Sequence, residues 1–322
     1  MISVIMSVYN ETEEELKQAI ESILNQTYTD LEFIIVNDNP KNERNKSILK
    51  AYARDNRVVL IENTENLGLA RSLNKGIDAS RGEYIARMDA DDIATRDRLQ
   101  VELEYLISNN LDLVGGAAIC IDENGIPLNN SMQRKGYRSA NLANIIKYTN
   151  PIIHPTVLAK AEAFKELGGY RNFPCAQDND MWLRMVTAQK KLGSTDSIVL
   201  QYRIRMSSIS KKNPLKQYLT HHYGYKLYRE RMKNNGFDSY SEENYKKYLA
   251  DHGAEDESCI QAFKKTRKYF ELSTQKVREK NLPAVFWYTI KTCTGNPYGC
   301  NMIYNFVMVG IQKIFNRRGL NG

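Results

Sequence analysis

The chain has little of what marks a metal cluster, a redox centre or a secreted scaffold. Only five of its 322 residues are cysteine and four are histidine. Cys293 and Cys300 alone sit close together, and no Cys-x-x-Cys pair occurs, which argues against zinc and dithiol redox sites. An odd number of cysteines suits reduced thiols in a cytoplasm. The opening MISVIMSVYN lacks the charged segment and small-residue cleavage site of a signal peptide and is expected to form a buried strand. Long apolar runs are missing as well. The strongest, near Met302 to Ile311, is interrupted by Asn305 and is too short to span a bilayer as a helix, so any membrane contact is expected to be peripheral. From about Leu215 onward no repeat period is visible. Charge of one sign is not concentrated: the formal charge of +7 comes from acids and bases mixed along most of the chain, which does not point to nucleic acid.

What is present is an apolar content of 42%, enough for one large domain and an appendage. Ile2 to Val8 reads as a strand, and the acid-rich ETEEE opens a helix in which Leu16, Ala19, Ile20, Ile23 and Leu24 recur at helical spacing. Phe33 to Val36, Val58 to Ile61 and Tyr84 to Met88 are further strands, Gly68 to Ala79 a helix, and Leu99, Leu103 and Leu106 mark another. Short strands alternating with helices predict an α/β fold with a doubly wound sheet, whose ligands bind beyond the carboxyl ends of the strands. Three polar clusters fall at such ends: Tyr9-Asn10, Asn37-Asp38-Asn39 and Asp89-Ala90-Asp91-Asp92.

Two carboxylates one residue apart, just past a buried strand, offer oxygen ligands to a hard divalent cation, which completes its shell with water and substrate phosphates. The same residues also suit the N-terminus of a helix running from Ile93. An EF-hand is a poorer fit, because its glycine and terminal glutamate are missing at the expected offsets.

Longer stretches decide between these readings. SVIMSVYN, SILNQTYTDLEFIIVND and NLGLARSLNKGIDASRGEYIARMDADD, in that order, resemble the successive blocks of family 2 glycosyltransferases of the GT-A fold. LGGY, CAQDNDMWLRM and YRIRMSSIS are similar to the acceptor half of members from bacterial capsule and O-antigen synthesis, so the resemblance covers roughly residues 1–210. It implies an inverting transfer of one sugar from a nucleotide-sugar, UDP being the commonest nucleotide, to a glycan or lipid-linked oligosaccharide, with Mn²⁺ or Mg²⁺ as cofactor. A hexosyl or N-acetylhexosaminyl group is expected to move. By the same resemblance Tyr9 packs on the base, Asp38 hydrogen-bonds it, Arg71 points toward the nucleotide, Asp89 lies near the ribose or supports the metal, and Asp91 binds the metal. Asp178 matches the catalytic base that opens a helix in the acidic-Asp-x-x-x-Trp block, with Asp180 as the alternative. Gln177 departs from the usual Glu and puts the acceptor contact of that Glu in doubt. Arg205 stands where relatives often carry His, so that residue's role does not transfer, although Arg203 or Arg205 suits phosphate geometry. His154 in NPIIHPTV is expected to make a structural ring hydrogen bond, and Trp182 to be core.

The GT-A domain is expected to span residues 1–214, with a nucleotide-sugar half over about 1–115 and an acceptor half over about 116–214. A basic helical region follows over 215–322. Its last part, 281–322, contains Lys291, Lys313, Arg317 and Arg318 but no acid. There Ile303, Phe306, Val307, Gly310, Ile311, Ile314 and Phe315 follow helical spacing, which suits the inner face of a membrane, the catalytic domain or a second copy of the chain in a homodimer. Two rival functions are weighed. A nucleotidyltransferase needs a Gly-rich basic phosphate loop, which SVYNETEEE is not. A catalytically inactive sugar-nucleotide-binding module fits poorly with retention of Asp38, Asp89, Asp91 and Asp178. Neither tryptophan follows an Arg in a Gln-x-x-Arg-Trp motif, which disfavours a processive synthase.

Overall fold

The computed structural model describes residues 1–128, 139–205 and 213–318. Its internal contacts divide the chain into two units, Met1–Ala143 with Pro151–Met206, and Asn144–Asn150 with Ser207–Gly322. The first unit thus ends before residue 214, and a short stretch near residue 147 belongs with the second.

The first unit begins with β1 (Ile2–Val8), α1 (Glu13–Leu24), β2 (Leu31–Asn37), α2 (Glu43–Tyr52), β3 (Val58–Glu62), α3 (Leu69–Ala79) and β4 (Tyr84–Asp89). These strands pair in parallel in the order β3-β2-β1-β4. Every residue of β2 and nearly every residue of β1 is buried, as expected for central parallel strands covered on both faces. Thr12 caps α1 and exchanges bonds with Glu15 in a capping box. Helix α3 buries Ala70, Leu73, Gly76 and Ile77. It lies so close to β1 that a Cβ on Gly76 would sit 2.4 Å from Ile5 Cγ2.

The sheet continues with β5 (Ile93–Ala94), α4 (Arg98–Ser108), β6 (Leu113–Ile121), α5 (Ser139–Ile145), a single 3₁₀ turn (His154–Thr156), β7 (Leu158–Lys160), α6 (Ala161–Lys165), α7 (Gln177–Thr187) and β8 (Leu192–Arg203). Strand β7 runs antiparallel between β4 and β6, β8 parallel to β6, and β5 antiparallel to β8. The result is one mixed eight-stranded sheet. The acids at 89–92 do not cap a helix at Ile93. Ile93 and Ala94 are held extended by pairing with Gln201 and Leu200, and the helix starts only at Arg98. Cross-strand pairing overrides the local signal.

The second unit contains α8 (Pro214–Lys233), α9 (Glu242–Asp251), α10 (Glu257–Arg278), α11 (Leu282–Gly295) and α12 (Gly299–Arg318). Asn213 caps α8, with Pro214 in its first turn. Aromatic contacts fill its interior, among them Tyr218 with Phe263 and Tyr298, and Tyr223 with Tyr245 and Tyr248. No helix among the described residues is long and apolar enough to cross a membrane. Ile314 and Phe315 lie in α12, with side chains outside the described ones.

Candidate active site

The parallel register brings the three sequence clusters to one edge, because Val8 pairs with Asn37 and Ser7 with Asp89. Tyr9 leaves β1 with 49% of its surface exposed, a broad ring face at the rim of that edge. Asp38 is buried. Its Oδ1 accepts from Asn63 Nδ2 and from the Leu67 amide, each at 2.8 Å, and its Oδ2 accepts from the Gly68 amide at 2.9 Å. Gly68 holds φ at 82°, a conformation that favours glycine. Asp38 therefore clamps the entry to α3, while Oδ2 keeps lone-pair capacity for one more donor. Arg71 lies on the exposed side of α3.

Where β4 ends, ligand oxygens of Asp89, Asp91 and Asp92 lie within 4.8 Å of one another. Asp89 pairs with buried Arg87. Asp91 Oδ2 stands 3.1 Å from Arg205 Nε. Buried Asp92 accepts the Arg203 amide on Oδ1 at 2.8 Å, and its Oδ2 has no hydrogen-bond partner. Two more acids approach from the β1–α1 junction. Glu11 Oε2 accepts the Tyr9 amide at 2.8 Å, and Glu15 Oε2 is 2.9 Å from Arg205 Nη2.

The electrostatics of this group are unbalanced. Burial, with Asp89 adding repulsion and Arg205 pulling back, pushes the Asp91 carboxyl up to about 6. Burial and the charges of Asp89 and Asp91 hold Asp92 well above the usual carboxylate range. Burial likewise raises Glu11 to about 7. Glu15 is the contrast: burial is outweighed by the Thr12 bonds and by Arg205 and Arg203, so its carboxyl stays below the ordinary value. Burial is the largest cause of the raised values, and in Asp91 and Asp92 the neighbouring carboxylates add to it. The unpartnered Asp92 oxygen and the gathered acids fit a divalent cation, which would supply positive charge and accept hard oxygen ligands.

Arg203 and Arg205 have separate roles. Arg203 is buried and donates from Nε to the Asp91 carbonyl at 2.8 Å, from Nη1 to the Asp122 and Glu123 carbonyls at 3.1 and 2.9 Å, and from Nη2 to Gln18 at 2.9 Å. It braces the acidic loop. Arg203 also stands 3.8 Å from Glu15, whereas Arg205 makes its closest contacts with carboxylates, Glu15 at 2.9 Å and Asp91 at 3.1 Å.

Asp178 lies in the first turn of α7 and is half-buried. Ala176 leads into that turn with φ at 54°. Buried Tyr170, whose hydroxyl is pushed above its usual range by burial, lies within electrostatic reach of both Asp178 and Asp89, so α7 and β4 converge on it. Asn74 of α3 fixes this segment, accepting the Tyr170 amide and donating to its carbonyl, both at 2.8 Å. His154 Nε2 bonds the Tyr170 hydroxyl at 2.9 Å, and Trp182 is fully buried against His154, Phe164 and Tyr170. His154 is held well below its ordinary pKa by burial and by Arg87. Asp180 is engaged elsewhere, 2.9 Å from Arg184 Nε and 3.5 Å from Arg171 Nη1. Arg184 in turn binds the Leu167 and Gly169 carbonyls at 2.6 Å. The alternative base is thus an anchor for the loop before α7.

The fold is of the GT-A glycosyltransferase type. Residues 1–349 of S. aureus TarS in complex with UDP-GlcNAc superimpose with a TM-score of 0.59 at 15% identity, covering 98% of this chain and 91% of that one. A longer TarS chain gives 0.58 at 16%, with 96% of this chain covered but only 54% of the other. The Glycosyl transferase family 2 model matches residues 3–168, and the chain belongs to that family. An uncharacterized glycosyltransferase of Methanocaldococcus jannaschii is 38% identical over 63% of this chain and 71% of its own. The amylovoran biosynthesis glycosyltransferase AmsE of Erwinia amylovora is 27% identical over 66% and 79%. The O-antigen biosynthesis glycosyltransferase WbnJ of Escherichia coli is 33% identical over 66% and 82%.

Sequence reasoning left Glu11, Glu15, Arg87, Asp92 and Tyr170 without site roles. The Thr12-x-x-Glu15 spacing was a readable capping signal, but nothing local pairs Glu15 with an arginine 190 positions along the chain.

Proposed function

We propose that the chain is an inverting, non-processive glycosyltransferase acting on the cytoplasmic side of the membrane. It moves one hexosyl or N-acetylhexosaminyl group from a UDP-sugar to a saccharide or lipid-linked oligosaccharide in surface polysaccharide synthesis. The observation that carries this reading is the under-compensated acidic group at the end of β4. The solved neighbour bound to UDP-GlcNAc supports the donor class, and the amylovoran and O-antigen relatives support the pathway class.

In this mechanism Tyr9 packs on the base, Asp38 uses the remaining capacity of Oδ2 to accept from it, and Arg71 faces the nucleotide. Asp91 and Asp89, with Asp92 beside them, would hold Mn²⁺ or Mg²⁺. When bound, the cation supplies charge neutralisation for the departing diphosphate. Asp178 accepts the proton of the acceptor hydroxyl as its oxygen forms a bond to the anomeric carbon and the bond to the diphosphate oxygen breaks. That single displacement inverts the anomeric centre. Asp178 lies at a helix N-terminus, where the macrodipole favours its charged form. Arg205 must release Asp91 for a cation to enter, and the incoming diphosphate is the natural anion to take it.

The test is a panel of nucleotide-sugars incubated with Mn²⁺ or Mg²⁺, followed by NMR of the transferred linkage. Metal-dependent consumption of one donor with inverted product is expected. Retention of configuration, or consumption indifferent to chelator, would overturn the mechanism.

A further inference from the structure

Helix α11 leaves its largest apolar side chains outside. The side turned to α10 carries polar groups beside Val285: Thr289 Oγ1 lies 2.9 Å from Ser273 Oγ, Tyr288 stacks on Tyr269 with centroids 6.4 Å apart, and Thr292 is buried with its hydroxyl on the Tyr288 carbonyl at 2.8 Å. The outer side carries Leu282, Phe286, Trp287 and Ile290, exposed by 75, 70, 57 and 41%. At 100° per residue these four fall within one arc of the helix, reversing the usual surface pattern of polar outside and apolar inside. A contiguous exposed apolar patch marks an interaction site.

The charge of this stretch of the sequence bears on the occupant. No Asp or Glu occurs from Lys280 to the end of the sequence, whereas Lys280, Lys291, Lys313, Arg317 and Arg318 do. Lys291 Nζ sits 4.8 Å from the centre of the Trp287 ring, which places an ammonium at the rim of the apolar arc, as in interfacial helices. A second copy docking face to face would set Lys291 at the rim against its own equivalent. An anionic partner with an apolar interior satisfies both features.

We propose that the Leu282-Phe286-Trp287-Ile290 face of α11 docks on an anionic lipid surface, with Trp287 at the boundary between headgroups and acyl chains. This surface shares no residue with the acidic site, and the proposal does not rest on the reading given to that site.

The two tryptophans of the chain make the test direct, since Trp182 is fully buried and Trp287 is exposed. Full-length protein is titrated with mixed phosphatidylglycerol–phosphatidylcholine vesicles and with pure phosphatidylcholine, while tryptophan emission and co-sedimentation are followed. A shift to shorter wavelength and sedimentation with the anionic vesicles, both reduced by salt, are expected. Trp287→Phe should still sediment but lose the shift. Phe286→Ser should lower partitioning by about tenfold or more, the cost of one ring left out of the apolar phase, with unchanged circular dichroism. Protein that neither shifts nor sediments with anionic vesicles overturns the proposal. A shift without lipid that grows with protein concentration also overturns it, because a second copy then covers the face.

Discussion

The acidic edge of the sheet and the outer face of α11 break the ordinary rule of burial in opposite directions. At the end of β4, carboxylates are withdrawn from water and raised above their usual pKa. On α11, rings and aliphatic chains are left in water while hydroxyls are turned inward. Either arrangement costs stability in isolation. The difference lies in what relieves each: charge in the first case, apolar area in the second. The two regions should therefore answer to different perturbations, and substitutions can test that separation.

The largest effect is expected at Asp178. Asp178→Asn should lower transfer by roughly two to four orders of magnitude, the scale of general-base catalysis, with UDP affinity kept. A mutant that transfers at the parental rate would remove chemistry from the α7 side. Asp91→Asn should weaken UDP binding in Mn²⁺ by about a hundredfold, near the upper end of losses at metal-supporting residues, with little change in the absence of metal. Calorimetry reads both, and equal losses with and without Mn²⁺ would mean that Asp91 serves the fold.

Arg205→Gln should separate two affinities. Removing the guanidinium 3.1 Å from Asp91 should tighten Mn²⁺ binding in the absence of nucleotide by about tenfold, while UDP binding in Mn²⁺ weakens. Equal and parallel changes would show that Arg205 only stiffens the loop.

His154 sets an acid limit on the fold. Its folded pKa lies below the ordinary 6.5, so the unfolded chain takes up a proton that the buried ring refuses. Stability from this group is therefore present above about pH 6.5 and is lost as pH falls, with a slope approaching about 1.4 kcal/mol per pH unit. His154→Phe should lack that share, which denaturation midpoints between pH 5 and 7 would show. The smallest effect belongs to α11. Phe286→Ser should change folding stability by no more than about 0.5 kcal/mol, since the ring packs on little. A large loss there would mean that the face belongs to the core, and the comparison would fail.

Much of the first half of the sheet could be read before the structure. β1 to β4 announce themselves as short apolar runs, and the polar residues ending β1, β2 and β4 meet because parallel register leaves them no other place. Trp182 in the core and the His154 ring hydrogen bond were legible for the same reason: local sequence and local environment agree. Legibility failed where distant segments decide. Ile93 and Ala94 follow a capping-type signal yet form a strand, because β8 lies alongside. Glu15 reads as a helix-capping acid and is also a partner of Arg205. Asp38 reads as a ligand contact and is also the clamp for Leu67 and Gly68. In the tail, spacing drew attention to α12, but the more exposed apolar arc lies on α11. Spacing reveals an apolar face without saying which side the neighbouring helix takes.

Arg203 carries a warning for anyone who maps this enzyme by saturation mutagenesis. Its planar fork is shared among the carbonyls of Asp91, Asp122 and Glu123 and the Gln18 side chain, a geometry that the single ammonium of lysine cannot reproduce. Every replacement, the conservative one included, should loosen the loop that aims Asp91. An activity-only screen would rank position 203 with the proposed base and metal ligands although its side chain braces the scaffold. Scoring abundance alongside turnover is what would tell the brace from the tool it holds.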